Sequence, residues 1–175
     1  MNDELQAFLG DPTFENFFNM RTAILADPGY EPHSLRLAEL ASLCEQGRLD
    51  EVGQAISRMM PGWMLSPRVH LFAGYLAVQR GDDQEVETER FLLDTCLQGL
   101  FATGDGMRGS PYLVTYRGDE YDVLDALSRR ACSQRLVERG SSRYDVIACE
   151  DGTEVWFDVT DLFRPRMAKL HQKAS

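Results

Sequence analysis

A chain of 175 residues has the length of one large domain, or of two small domains that share a core. Its 43% hydrophobic and 26% charged residues are typical of globular proteins and exclude a disordered chain. The formal net charge of −10 disfavours binding to nucleic acid or to anionic lipid, because both carry negative phosphates.

The chain has no sequence signal for export or membrane insertion. No apolar run approaches the roughly 20 residues that a membrane-spanning helix needs, and the first segment, MNDELQAFLG, is acidic where a secretory signal would be basic. The cysteines are widely spaced without a C-x-x-C pair: Cys44, Cys96, Cys132 and Cys149. Four thiols could form two disulfides, but buried thiols in a reducing compartment are the simpler interpretation, and we expect a cytoplasmic protein.

The first hundred residues have the apolar spacing of helices. Asp11 and Pro12 suit a helix start, and apolar residues follow at helical spacing: Phe14, Phe17, Phe18, Ile24 and Leu25. Residues 27–29, Asp-Pro-Gly, predict a turn, after which a second helix starts near residues 31–34 and runs to Gly47. A serine followed by proline at residues 66–67 begins another helix in the same way.

An internal repeat is the most informative pattern in this half. Residues 41–52, ASLCEQGRLDEV, align without a gap with residues 75–86, YLAVQRGDDQEV, so that Gly47 matches Gly81. The offset of 34 residues is the period of tetratricopeptide helical hairpins, which these two units resemble. The family's tryptophan, glycine–tyrosine and proline positions are not clearly reproduced. The pattern predicts paired antiparallel helices with an exposed edge that must pack on the rest of the chain.

Residues 82–89 concentrate negative charge at the start of a predicted helix. The five carboxylates there are Asp82, Asp83, Glu85, Glu87 and Glu89. A helix N-terminus favours carboxylates, so capping and a solvated face account for them in the simplest interpretation. The sharper hypothesis is a docking patch for a basic partner. Residues 1–100 hold 16 acidic and 7 basic side chains, whereas residues 101–175 hold 12 and 11, so the acidity belongs to the helical half.

The second half of the chain is richer in residues that favour β-strands. The glycine-rich segment at 101–111 predicts a loop, PYLVTY a short strand, and GDEYDVLDALSRR a helix. Three further strands are predicted in SQRLVE, RYDVIACE and EVWFDVT, with Asp151-Gly152 as a hairpin turn between the last two. In the last strand Val155 and Phe157 should be buried, and the alternate residues, Trp156 among them, should face a largely polar side. The tail at 164–175 is basic.

No residue pattern indicates catalysis or metal binding. The loop Thr103–Gly109 could let backbone amides approach an anion, but no Gly-Lys-Ser/Thr follows it. The three histidines are isolated in sequence, so a metal site would have to be assembled by the fold. A nucleophilic pair of His70 and Cys96 across adjacent helices has no supporting signature. We expect no metal and no cofactor.

Ordered short motifs carry a resemblance to a known family. They are TGDG (103–106), SPYLVT (110–115), EYDVL (120–124), SQRLVE (133–138) and YDVIACEDGTEVWFDVTDLF (144–163), with NMRTAILADPGYEP (19–32) in the N-terminal half. Together they resemble an uncharacterised bacterial family, a domain of unknown function. The resemblance implies the architecture and transfers no active site.

The sequence therefore predicts an α+β protein. Tetratricopeptide-like antiparallel helix pairs (residues 1–100) pack with a small antiparallel β-sheet (residues 101–175) in one compact unit. We expect a non-enzymatic module that binds a basic protein through residues 82–89, and the most specific hypothesis is an immunity-type protein that neutralises a bacterial toxin. The alternatives are a small enzyme with a site between the Gly104–Gly109 loop and the sheet, and a helical scaffold subunit.

Overall fold

The computed structural model describes residues 2–33 and 35–163. The predicted α+β class is confirmed. The helices are α1 (Asn2–Gly10), α2 (Phe14–Ala26), α3 (Arg36–Glu45), α4 (Leu49–Met59), α5 (Pro67–Arg80), α6 (Asp83–Phe101) and α7 (Asp119–Ala126). The strands are β1 (Tyr112–Leu113), β2 (Ala131–Arg139), β3 (Ser142–Cys149) and β4 (Glu154–Asp158), and a short 3-10 helix spans Thr160–Phe163. The basic tail lies outside the described residues.

Two helical hairpins reproduce the internal repeat in three dimensions. Gly47 and Gly81 follow α3 and α5 with positive φ angles of 67° and 70°, where a side chain would be strained. The second helices of the hairpins, α4 and α6, begin 34 residues apart at Leu49 and Asp83. Helix α5 contacts both α3 and α4, as neighbouring units do in stacked helical repeats.

Two helix starts differ from the sequence prediction. Helix α2 begins at Phe14, and the Thr13 side chain caps it by accepting from the Asn16 amide at 3.4 Å, so Asp11 and Pro12 precede the helix. Helix α3 begins at Arg36, later than the predicted start near residues 31–34. Several polar residues in each segment can cap a helix, and tertiary contacts choose among them.

The sheet has the order β1-β4-β3-β2 and is mixed, which corrects the predicted antiparallel sheet. Strands β2, β3 and β4 pair antiparallel as predicted, but β1 pairs parallel to β4, with Tyr112 opposite Phe157. Parallel neighbours need a long connection. Helix α7 and the β2–β3 hairpin supply that connection between β1 and β4, which local sequence patterns do not reveal.

The β3–β4 turn forms at Asp151 and Gly152 as predicted, with a φ of 82° at the glycine. Val155 and Phe157 are buried, also as predicted. Trp156 departs from the prediction of a largely polar alternate face, because it is only 7% exposed. Three guanidinium groups cover its ring at 5.0 to 5.9 Å from the centroid, those of Arg108, Arg135 and Arg139.

Both halves contribute to one hydrophobic core. The Trp63 and Tyr116 rings stack with centroids 4.7 Å apart. The buried Arg21 guanidinium of α2 donates to the Val114 carbonyl at 2.8 and 3.2 Å and to Asp161 at 2.7 Å. The helical half and the C-terminal part therefore pack on each other through this shared core. In the described part of the chain, no helix has the length and apolarity to cross a membrane.

Candidate partner-binding site

The predicted acidic residues surround the first turns of α6. The Asp82 carboxylate caps the helix by accepting from the Glu85 amide at 3.0 Å. Asp82, Asp83, Glu85 and Glu87 are exposed, whereas Glu89 is half-buried. Both the capping role and an accessible acidic surface therefore exist at this helix start.

A groove runs beside this acidic segment between α4 and α6, with α5 at its floor. Its volume is about 310 Å³. Asp82, Glu85 and Glu89 form its α6 wall. The rest of its lining comes from Gly53, Ile56 and Ser57 of α4 and from Ala73, Leu76, Ala77 and Arg80 of α5. Sequence reasoning found the carboxylates but not the groove, which arises because small residues of α4 and α5 leave space between the helices.

Among the described residues that line the groove, carboxylates outnumber cations. Arg80 is the basic residue of that lining, and its guanidinium lies 3.4 Å from Asp50. Asp83 and Glu87 belong to the same helix but do not line the groove. The groove thus combines an apolar floor with an acidic wall.

Glu89 is paired with a buried histidine. Its Oε2 lies 2.7 Å from His70 Nδ1, and His70 Nε2 lies 2.8 Å from the Met64 carbonyl oxygen. A carbonyl only accepts, so Nε2 carries a proton. Burial opposes the imidazolium, but hydrogen bonds with Cys96 and Glu89 outweigh it and raise the pKa of His70 to about 10. His70 and Glu89 form an ion pair at neutral pH.

The structure brings together His70 and Cys96, the nucleophilic pair considered from the sequence. Cys96 is 2% exposed, its Sγ lies 3.6 Å from the Met64 carbonyl oxygen, and burial raises the pKa of its thiol. A reactive cysteine needs an accessible thiolate. The pair instead packs α5 against α6. All four cysteines are free.

The glycine-rich loop, where the sequence suggested an alternative enzyme site, packs against the sheet. A Cβ on Gly104 would lie 2.5 Å from the Pro111 carbonyl oxygen, and one on Gly106 2.6 Å from the Tyr112 ring. The Gly106 carbonyl accepts from the Trp156 amide at 2.8 Å. These contacts use the loop backbone to join α6 to the sheet.

A second polar recess, which sequence reasoning missed, lies beside strands β2 and β3 and the 3-10 helix. The Gln134 amide donates to Glu120 at 3.0 Å and to Asp145 at 2.8 Å. Burial and the neighbouring Asp145 raise the pKa of Glu120 to about 9, so Glu120 holds a proton at neutral pH. Gln134 and Asp145 border a recess of about 420 Å³ that also includes His33 and Arg117.

Among residues 2–33 and 35–163, no three or more histidine, cysteine, aspartate or glutamate side chains converge in an arrangement that could hold a metal ion. Comparison of the chain with models of known protein families, with curated protein sequences and with solved structures found no match. The resemblance to an uncharacterised bacterial family remains a prediction.

Proposed function

We propose that the protein is a non-enzymatic binding module whose groove between α4 and α6 receives a basic side chain of a partner protein. The observation that carries the proposal is the apolar floor of that groove beside the carboxylates of Asp82 and Glu85. An acidic surface alone would attract any cation. A groove with an apolar floor selects a cation on an apolar stem.

Lysine and arginine have this composition. Their methylene groups pack on apolar surface while the charged end stays near water or a carboxylate. In the groove the stem would lie along Ile56 and Leu76, and the charged end would reach Glu85 and Asp82. Arginine is the better fit, since its planar guanidinium can bond two carboxylates at once.

The charge of the whole chain supports a basic partner. A net charge of −10 accelerates association with cationic proteins and repels anionic polymers. The most specific form of the proposal is an immunity-type protein that binds and neutralises a basic bacterial toxin. In that case, capture from the producing cells should recover a basic toxin that the variant Glu85→Lys loses.

The test is an NMR titration with a synthetic peptide of alternating arginine and alanine. Its control peptide contains citrulline, which keeps the shape of arginine without the charge. We expect the arginine peptide to shift the amide signals of Ala73, Ala77 and Glu85. We expect Glu85→Lys to weaken binding about tenfold, because a repulsive charge replaces an attractive one in the groove.

Asp83→Lys is the matched control, since it makes the same change of charge on the same helix outside the groove. It should weaken binding much less than Glu85→Lys. Equal effects of the two variants would mean that the acidic surface attracts cations without a groove, and equal binding of the citrulline peptide would remove the role of charge.

Two alternatives remain proposals of lower support. The enzyme alternative is better supported at the polar recess near Gln134 and Asp145 than beside the glycine loop, whose backbone packs against the sheet. A scaffold subunit would use helix faces more than a charged groove.

A further inference from the structure

Helix α5 exposes a row of apolar side chains on the side opposite the buried Ala73, Leu76 and Ala77. Leu71 is 50% exposed, Tyr75 39% and Val78 57%. Their spacing of four and three residues places them in one line along the helix. A helix with apolar residues on both of its sides normally packs on both sides.

The corresponding face of the first hairpin is covered. Leu37, Ala41 and Cys44 precede Leu71, Tyr75 and Val78 by the repeat offset of 34 residues, and all three are half-buried. Leu37 and Cys44 pack against the hydrophobic core. The second hairpin therefore exposes to solvent a face that is half-buried in its counterpart, as the last unit of a helical stack does when its cap is incomplete.

Helix α7 covers only one end of this face. It has 8 residues against the 14 of α5, which makes it about 9 Å shorter. A pocket of about 140 Å³ remains where α7 meets α5 and α6. The apolar residues that line it are Pro67, Leu71, Leu93, Leu97 and Ala126. A cavity of about 150 Å³ can hold a benzene-sized group, so this pocket has room for one apolar side chain.

Two carboxylates border the same pocket and share one cation. Arg68 Nε donates to Asp122 Oδ1 at 2.6 Å, and its Nη2 lies 3.0 Å from Asp125. The Asp122 side chain is 6% exposed, yet its Oδ2 accepts no hydrogen bond from the residues that the structure describes. A buried acceptor without a donor costs about 1 to 3 kcal/mol, but this atom is closed off from solvent, so the exposed Asp125 is the carboxylate that a partner can reach.

We propose that the face formed by α5, α6 and α7 binds an amphipathic helix of a partner protein that has a basic residue beside its apolar stripe. The apolar stripe lies along Leu71, Tyr75 and Val78, and one apolar side chain enters the 140 Å³ pocket. The basic residue pairs with Asp125, whose side chain is exposed beside the Arg68–Asp122 pair. This helix takes the place that the first helix of a third repeat would take in a longer stack.

The surface is separate from the groove between α4 and α6, because the two lie on opposite sides of α5. Variants of one surface therefore leave the other unchanged. Failure of this inference and failure of the proposed function are distinguishable.

The test uses a fluorescent synthetic peptide of about 18 residues, about 27 Å long as a helix, with leucines along one face and lysines beside them. We expect NMR signals of Leu71, Tyr75, Val78, Leu93 and Leu97 to shift on binding. Fluorescence anisotropy should show that Val78→Glu and Asp125→Lys each raise Kd about tenfold, since they remove apolar contact and charge complementarity respectively.

Phe91→Glu is the matched control for Val78→Glu. Phe91 is exposed to 51% and lies on the side of α6 that points away from the pocket-lining Leu93 and Leu97, so its replacement should leave Kd unchanged. Absence of binding, unchanged Kd in both test variants, or signal shifts confined to other surfaces would overturn the proposal. So would a homodimer that Val78→Glu dissociates, because a second copy of this chain would then be the occupant.

Discussion

His70 is a charged residue held inside the helical half of the molecule. Its ring is 1% exposed and contacts Glu89 on one side and the Met64 carbonyl on the other. A buried charge that loses its partner is costly, because the remaining ion has neither water nor a counter-ion around it. Glu89 therefore has a structural role that the other four carboxylates of residues 82–89 do not share.

Glu89→Gln is expected to lower the free energy of unfolding at pH 7 by about 3 kcal/mol. The pKa of His70 is about 10 in the folded protein against its ordinary value of 6.5, so its contribution is complete below pH 6.5 and is lost as pH rises towards 10. Urea denaturation at several pH values should show a weaker decline above pH 7 in the variant. The exposed Glu87→Gln should change neither quantity, and similar effects of both variants would contradict the ion pair.

Only some of these residue-level features could be predicted from the local sequence. The carboxylates of residues 82–89 could be predicted to cap a helix, because capping depends on residues a few positions apart. Glu89 and His70 are on different helices, and Asp145 reaches Glu120 from a strand. Such pairs depend on packing between elements, which the spacing of residues along the chain does not specify.

Helix α7 buries three of its four acidic residues. Burial is the main cause that raises the pKa of Asp119 to about 8, of Glu120 to about 9 and of Asp122 to about 6. Asp119 also accepts from the amides of Thr115 and Tyr116 at 2.7 and 2.9 Å, which fixes the turn before the helix. These three carboxyl groups face neighbouring elements, so the free energy of unfolding of the protein depends on the protons that they bind.

The free energy of unfolding should fall as pH rises from about 4 to about 9. A carboxyl group with a raised pKa keeps its proton in the folded state after the unfolded chain has released it, so its contribution is greatest at low pH and is lost as pH rises through the folded pKa. Glu120→Gln removes one such group while keeping a hydrogen-bonding side chain. It should reduce the slope between pH 5 and 8 by about 1.4 kcal/mol per pH unit.

Asp125→Asn is the control for this prediction, because Asp125 lies on the same helix with an exposed side chain. Chemical denaturation across the pH range gives both slopes. Parallel curves for Glu120→Gln and the unmodified protein would show that Glu120 does not hold a proton in the folded state.

Most of the helices and strands could be predicted from the sequence. The 34-residue repeat and the glycines at its turns specify the two hairpins through local geometry, and Asp151-Gly152 does the same for the β3–β4 turn. The parallel pairing of β1 with β4 could not be predicted from the sequence. A strand of two residues is too short to show an alternation of apolar and polar residues, and its partner lies about 45 residues further along the chain.

At the scale of the whole molecule, the helical and β-rich parts share a core. Contacts such as the stack of Trp63 on Tyr116 join them. A repeat of two hairpins has no independent caps, so neither part is complete without the other. One cooperative unfolding transition is the expected consequence.

The two tryptophans of the chain report on this cooperativity, since Trp63 lies in the helical part and Trp156 in the sheet. In Trp63→Phe and in Trp156→Phe, the fluorescence of the remaining tryptophan should change at the same denaturant concentration as far-UV circular dichroism. Each variant serves as its own control, because both probes are read from one sample. Separate midpoints for the two probes would show that the parts unfold independently.

Strand β2 ends the sheet opposite β1, and most of its residues are exposed. Within the described part of the chain no strand pairs with its outer side, and such an edge of 9 residues offers backbone groups to other extended chains, which is a common route to aggregation. Arg135, Glu138 and Arg139 place charged side chains along β2, and such charges oppose the pairing of this edge with another strand. Concentrated solutions of the protein should consequently resist the growth of its sheet from one molecule to the next.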